Sequence, residues 1–213
     1  MRIALISGLL LASASTFAIS VPIVNHSFED PTLGGGAFFY SPTQMPGWSS
    51  AATGGADRGI WNTTAAGKDG INIAFAYRNN AFAQQLSAVV MGNTTYTLDY
   101  LIGRTGNATR GTAELWAGGT LTNGVVTGGT LLASQTTQVS QSEMTPLSLV
   151  YSSPLSGSVV GQQLTVRFAG TTVTGESYVS FDNVRLNAEP VPEPATMLAV
   201  GAGLAALARR RMR

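Results

Sequence analysis

The sequence predicts an all-β protein, built as a single antiparallel jelly-roll β-sandwich. Three observations carry that prediction. Apolar residues recur at every second position in several short runs, the spacing of strands with one buried face. Turn formers such as Arg78-Asn79-Asn80, Gly92-Asn93 and Gly118-Gly119 separate those runs. Gly (25 of 213 residues), Thr and Ser are abundant, and long runs of helix formers are missing.

In chain order, the first element is the leader MRIALISGLLLASASTFAIS. Arg2 supplies a positive start, Ile3 to Ala12 is apolar, and small residues stand before Ala18 and Ser20. This predicts a secretory signal peptide over residues 1–20, cleaved near Ala18 to Ser20. The sandwich is expected over 21–188. In Gly70 to Tyr77, the residues Ile71, Ile73, Phe75 and Tyr77 share one face. Tyr96, Leu98, Tyr100 and Ile102 form the next inward set. In Thr112 to Ala117 the apolar face is Ala113, Leu115 and Ala117, which places Glu114 and Trp116 together on the other face. Leu147, Leu149 and Tyr151 follow, then Leu164, Val166 and Phe168. The stretch 117–145 is rich in Gly, Thr, Ser and Gln, and predicts long loops around one strand near Leu131 to Ser134. In the last strand, Val179 and Phe181 have one parity, Val184 and Leu186 the other. Both pairs reach the core only if a β-bulge at Asp182-Asn183 inserts an extra residue.

Composition removes several function classes. Without Cys there is no disulfide, thiolate nucleophile or Cys-based zinc site. A single His, His26, excludes a multi-histidine metal site within one chain and makes a poor basis for nucleophile activation. Residues 21–190 carry seven basic and ten acidic side chains, a net of −3, so the formal +1 of the whole chain belongs largely to its arginine tail. Nucleic-acid binding is not expected from such a body. Carboxylate pairs such as Asp57 with Asp69 are available, but no spacing marks them as a glycosidase pair. The expectation is a protein without catalytic activity.

The tail has three parts. Val191-Pro192-Glu193-Pro194 is rigid and non-helical, because its prolines fix φ and remove donors. Ala195 to Ala208 is apolar and predicts a short hydrophobic helix of roughly 21 Å, less than the usual membrane span. Arg209, Arg210 and Arg211, with Arg213, close the chain and would stay on the cytoplasmic side. Together these residues resemble the PEP-CTERM sorting signal of Gram-negative, exopolysaccharide-producing bacteria. The resemblance implies recognition by an exosortase-type processing enzyme, a transient hold in the membrane, and delivery across the inner membrane to the cell surface or extracellular matrix. An ordinary tail anchor is the alternative.

The body is similar to galactose-binding-like sandwiches, including carbohydrate-binding modules. The residues that carry the likeness are Val24 to Pro31, Pro46-Gly47-Trp48, Phe82 to Leu86, Gly92 to Leu98, and Tyr178 to Leu186. That resemblance implies a structural calcium ion joining the first and last strands, held by Glu29 and Asp182 with a backbone carbonyl near Ser27. Against it stands a plain hydrogen-bonding role for the same side chains. It also implies polysaccharide as a ligand. Trp116 beside Glu114 is the candidate sugar platform, with Trp61 as a further one, and Trp48 is expected in the core. A Trp that merely covers a sheet is the alternative at each surface position. Two functions therefore compete: an exported surface protein that binds exopolysaccharide, and a structural or adhesive matrix subunit that binds none.

Overall fold

The computed structural model describes residues 17–40, 45–50, 58–77, 79–107, 109–171, 177–192 and 207–209. Strands in chain order are β1 (Ile19–Val21), β2 (Phe38–Tyr40), β3 (Ser49–Ser50), β4 (Arg58–Asn62), β5 (Asn72–Tyr77), β6 (Ala81–Val89) and β7 (Thr94–Gly106). They continue as β8 (Thr109–Ala117), β9 (Thr120–Thr122), β10 (Val125–Thr127), β11 (Thr130–Val139), β12 (Thr145–Ser152), β13 (Gln163–Thr171) and β14 (Ser177–Pro190). One sheet runs β12-β7-β14-β5-β4-β2, with β1 also paired to β14. The other runs β11-β8-β13-β6-β3, and β9 with β10 forms a separate hairpin. This is the expected antiparallel sandwich.

Alternation builds the core between the sheets. Tyr96, Leu98, Tyr100 and Ile102 of β7 are all buried, as are Leu164, Val166 and Phe168 of β13 and Ala113, Leu115 and Ala117 of β8. Trp48 joins them: its ring lies 5.2 Å from Phe28 and 5.4 Å from Phe82. Phe168 sits at the centre, 4.7 Å from Phe181 and 5.4 Å from Tyr100. Rings at these distances gain edge and offset contacts beyond their buried area.

β14 contains the expected bulge. Its register against β7 shifts between Asp182 and Arg185, and Asn183 takes a left-handed φ of 47°. Val179, Phe181, Val184 and Leu186 are all fully buried as a result. The bulge also marks a change of neighbour. Before it, Tyr178 to Phe181 pair with β5; after it, Leu186 to Ala188 pair with β1.

Several elements differ from the sequence expectation. The sandwich begins at Ile19, because Ile19 and Ser20 already pair with Ala188 and Asn187, and its last strand reaches Pro190. The stretch 117–145 holds the β9–β10 hairpin and the ten-residue strand β11. β11 is an edge strand with little burial, so it shows little apolar alternation and reads as loop. In β5 both faces are buried. Ala74 and Ala76 face the inter-sheet core, while the larger Ile73, Phe75 and Tyr77 lie on the opposite face.

Residues 1–16 of the expected leader, and Glu193, Pro194, Arg210 and Arg211 of the tail, lie outside the described residues. Of the expected terminal helix, Leu207 and Ala208 are described and helical, as is Arg209 of the arginine cluster. Among the described residues no helix is long and apolar enough to cross a membrane.

Candidate functional site

The outward face of β5 carries the most distinctive feature of the surface. Trp61 on β4 stands opposite Phe38 on β2 and Ile73 on β5. One pair further along, Phe75 stands between Gly59 and Ser180, two residues with little or no side chain. A low floor among tall aromatic walls results, and Phe38, Trp61, Phe75 and Tyr178 line a cavity of about 180 Å³. Tyr178 meets Phe75 edge-on at 5.5 Å and leans on Tyr77 at 4.8 Å, which fixes its ring. Tyr178 is the sole titratable group among the described lining residues.

Trp61 is also a wall of a second, larger depression of about 750 Å³. Its other described walls are polar or small: Gly35 and Gly36, Asn62 to Ala66, Arg104 to Gly106, and Ser142 with Glu143. Two hydrogen bonds hold the loops that shape this groove, from Met144 N to the Ala66 carbonyl at 2.8 Å and from Arg104 N to the Gln141 carbonyl at 3.2 Å. Among the described residues, Trp61 Nε1 and Arg104 Nε are buried without an acceptor; the register sets Trp61 on the outer face with Ile73 and Arg104 on the core face with Val179.

Trp116 and Glu114 lie on the outer face of the other sheet, together, as their spacing implies. Trp116 Nε1 donates to Glu114 Oε2 at 2.8 Å, and Arg167 Nη1 donates to the same oxygen at 2.7 Å. Arg167 Nε donates in turn to the Gly124 carbonyl in the β9–β10 turn. The indole N–H and one carboxylate oxygen are therefore engaged within the protein, and the network pins the hairpin to the sheet.

Glu29 and Asp182 approach the same joint between the first and last segments. Glu29 Oε1 accepts from Ile71 N and Asn72 N, both at 2.9 Å. The chain must come close there: a Cβ on Gly70, whose φ is +78°, would stand 2.5 Å from that oxygen. Asp182 is fully buried, accepting from Asp69 N at 2.6 Å and from Asn183 N at 2.7 Å. Burial, with the Asp69 and Glu29 carboxylates adding, pushes its pKa up from 3.8 to about 7 against the pull of those two N–H bonds. Ser27 Oγ donates to Asp69 Oδ2 at 2.9 Å. Lys68 donates to the Gly70 and Ile71 carbonyls, and the one ion pair among the described residues is Arg167 with Glu114. Among the described residues no three His, Asp or Glu side chains converge tightly enough to hold a metal alone. A cation here would have to complete its shell with carbonyl oxygens.

Sequence reasoning picked out Trp61 but missed Phe38, Phe75, Tyr178 and Arg104. A signal for one of them existed. Once Val179 and Phe181 are placed inward, Tyr178 must face out, and its pairing with Tyr77 then sets the outer face of β5.

Comparison with known proteins adds the lineage. Residues 190–213 match the PEP-CTERM protein-sorting motif, so the chain carries the sorting tail of an exported protein. A search of curated protein sequences finds no match. Among solved structures, the Stig cyclase Fisc from Fischerella sp. TAU, in complex with (3Z)-3-(1-methyl-2-pyrrolidinylidene)-3H-indole, superposes with a TM-score of 0.68 at 24% identity, over 83% of this chain and 100% of that one. A cyclase from Fischerella sp. TAU in complex with 4-(1H-indol-3-yl)butan-2-one gives 0.65 at 25% identity, over 82% and 100%. A family 16 carbohydrate-binding module gives 0.50 at 17% identity, over 77% and 97%, a likeness of fold. Residues 19–187 match the HpiC1-like family, described as HpiC1 cyclase, across the whole sandwich, and the chain belongs to that family.

Proposed function

We propose that this is an exported, non-catalytic surface protein that holds polysaccharide against Trp61. The observation that carries the reading is that one indole walls both an aromatic pocket and a polar groove. Sugar sites need that combination: a flat ring for the apolar face of a pyranose, and polar groups for its hydroxyls. The described lining residues of the aromatic pocket offer a phenol and no carboxylate or imidazole, which favours binding over proton transfer.

The layout of the sandwich supports presentation from a membrane. β14 ends at Pro190, and Asn93 then clasps Val191 through bonds of 2.8 and 2.5 Å. Ile19 stands beside Ala188, so both chain ends leave from the same end of the sandwich. Arg104 lies ten residues along β7 from Thr94, the partner of Pro190, a distance of about 33 Å. While a leader that precedes β1, or the tail, still lies in the membrane, the groove points away from it. An exosortase-type enzyme would then release the chain at the cell surface or into the extracellular matrix of a Gram-negative bacterium.

One calcium ion at the joint fits this reading. Glu29 and Asp182 would hold it, with carbonyl oxygens near Ser27, and its charge would offset a buried carboxylate cluster. The ion would lock the first segment to the last strand.

A second reading, small-molecule cyclisation, is favoured by family membership, and an aromatic pocket also suits an indole. Two assays on the purified protein decide between them. In calorimetry against bacterial exopolysaccharide, Trp61→Ala should weaken binding at least about tenfold while Trp116→Ala leaves it near wild type. Exopolysaccharide binding that survives Trp61→Ala in a folded protein overturns the proposal. Conversion of 4-(1H-indol-3-yl)butan-2-one or a related indole to a new product, seen by mass spectrometry, would establish the enzyme instead.

A further inference from the structure

We infer that the end of the sandwich from which the tail leaves is a membrane-contact surface, an uncharged apolar cap that seats in the headgroup layer of the bilayer holding the tail. The inference rests on the reading of residues 195–208 as a transient membrane segment.

One turn organises the cap. β6 stops at Val89, β12 at Ser152 and β14 at Pro190, and β7 starts at Thr94 beside them, since Thr94 pairs with Pro190 and Thr95 with Ser152. The turn from Val90 to Asn93 lies among these strand ends. Asn93 N donates to the Pro154 carbonyl at 3.0 Å, and Val191 N donates to the Asn93 carbonyl at 2.8 Å. The chains are so close that a Cβ on Gly92 would collide with the Leu155 carbonyl oxygen. Met91, Leu155 and Val191 are thereby gathered around one turn, and all three are exposed, Leu155 to 64%. The connections that build this end, 90–93 and 153–162, contain no charged residue. The opposite end exposes Arg110 and Glu143.

An exposed apolar side chain is ordinary alone, but an uncharged cluster of them marks a contact surface. The tail decides what it contacts. Pro192, Glu193 and Pro194 alone separate Val191 from the apolar stretch that starts at Ala195. Four residues of chain reach at most about 14 Å. The headgroup layer takes up about 5–8 Å of that on each side of the hydrocarbon. Whenever 195–208 lie in a bilayer, the cap therefore stands at its surface. A helix over that stretch is roughly 21 Å long against a core of about 30 Å, and arginines hold its cytoplasmic end. The shortfall draws the body inward. Met91, Leu155 and Val191 then gain by leaving water. Glu189 on β14 and Glu193 in the link remain for the polar headgroups.

The chain has no cysteine, so one introduced thiol reports one place. The full chain, tail intact, is labelled with an environment-sensitive dye through Leu155→Cys in the cap, Ser142→Cys at the opposite end or Ala199→Cys in the tail. Each form is mixed with vesicles of phosphatidylethanolamine and phosphatidylglycerol. Emission from positions 155 and 199 should shift to the blue and be quenched by spin-labelled lipid, and position 142 should do neither. Adding Met91→Asp should reduce the shift at 155 and leave that at 199. A label at 155 that stays in water while 199 inserts overturns the inference and leaves the reading of the tail intact. Equal shifts at 155 and 142 overturn it, as does an undiminished shift in folded Met91→Asp. A shift at 155 without lipid quenching seats a second copy of the chain on the cap instead, and also overturns it. If the label at 199 stays in water, the reading of the tail fails and the inference with it.

Discussion

The two outer faces of the sandwich each present a tryptophan, and they treat it in opposite ways. On the five-stranded sheet, Trp116 gives its N–H to Glu114, which is held by Arg167, which is tied to Gly124. On the seven-stranded sheet, among the described residues, the Trp61 N–H has no acceptor and the Ser180 hydroxyl has no partner. Asp182, two residues beyond Ser180, carries its carboxylate into a fully buried position beside other carboxylates. Among the described residues the first face keeps one unsatisfied group, the Thr165 hydroxyl. A closed network stabilises the fold; an open one costs stability unless something outside the chain completes it. The second face is therefore the better place to look for ligands.

The largest expected effect tests whether the second face is strained without a partner. In the native protein the Asp182 pKa is raised to about 7 from 3.8. The folded state then holds this proton more tightly than the unfolded state does. Below pH 4 both states are protonated and the group contributes nothing. Between pH 4 and 7 the unfolded chain ionises first, so stability falls as pH rises, by up to about 4 kcal/mol at pH 7 and above. In chelator, the melting temperature should drop across that window, and Asp182→Asn should flatten the drop. Millimolar calcium should recover the loss at pH 7.5. A melting temperature that stays level or climbs from pH 4 to 7 in wild type and variant alike removes the idea of a burdened carboxylate.

Next in size is the closed network. Arg167→Ala leaves Glu114 part-buried with its main cationic partner gone and frees the β9–β10 turn. The expected cost is about 2 kcal/mol, a fall of roughly 4–8 °C in melting temperature for a domain of this size. Arg104→Gln should cost less than half as much, because Arg104 has no ion pair among the described residues to lose. If the two variants melt alike, the two sheets do not differ in the way their hydrogen bonds imply.

How far the sequence foretold this contrast depends on what each strand packs against. β7 and β13 have one face on the core, so their alternation in Tyr96 to Ile102 and Leu164 to Phe168 pointed inward correctly. The bulge at Asp182-Asn183 was legible because two apolar pairs of opposite parity must share one core. β5 deceived, since alternation states that two faces differ and not which one is the core. Ala74 and Ala76 fit the crowded inter-sheet space, while Phe75 walls the outer pocket and Tyr77 packs behind Tyr178. Trp116 and Glu114 were rightly read as neighbours, but Arg167 lies 53 residues from Glu114 and the pairing of β13 with β8 brings them together. The same holds for the pocket, whose walls come from β2, β4, β5 and β14. Only pairing across the sheet sets Phe38, Trp61, Phe75 and Tyr178 around one cavity.

The smallest expected effect is the sharpest probe of the comparison, because it changes one N–H on each face. Trp116→Phe keeps an aromatic ring on the sheet and removes a donor that Glu114 uses. A stability loss of about 1 kcal/mol is expected. Trp61→Phe also keeps a ring, but the donor it removes has no partner in the free protein, so stability should stay within about 0.5 kcal/mol of wild type, with any change toward greater stability. The order should invert once polysaccharide is present. Trp61→Phe should then lower affinity several-fold, as the smaller ring stacks less and the ligand loses a donor, while Trp116→Phe should leave affinity unchanged. Denaturant melts of both variants, paired with calorimetry against the same polysaccharide, read all four values. Equal stability losses at the two positions would mean that the Trp61 N–H is satisfied within the fold, and the case for a ligand at that face would lose its foundation.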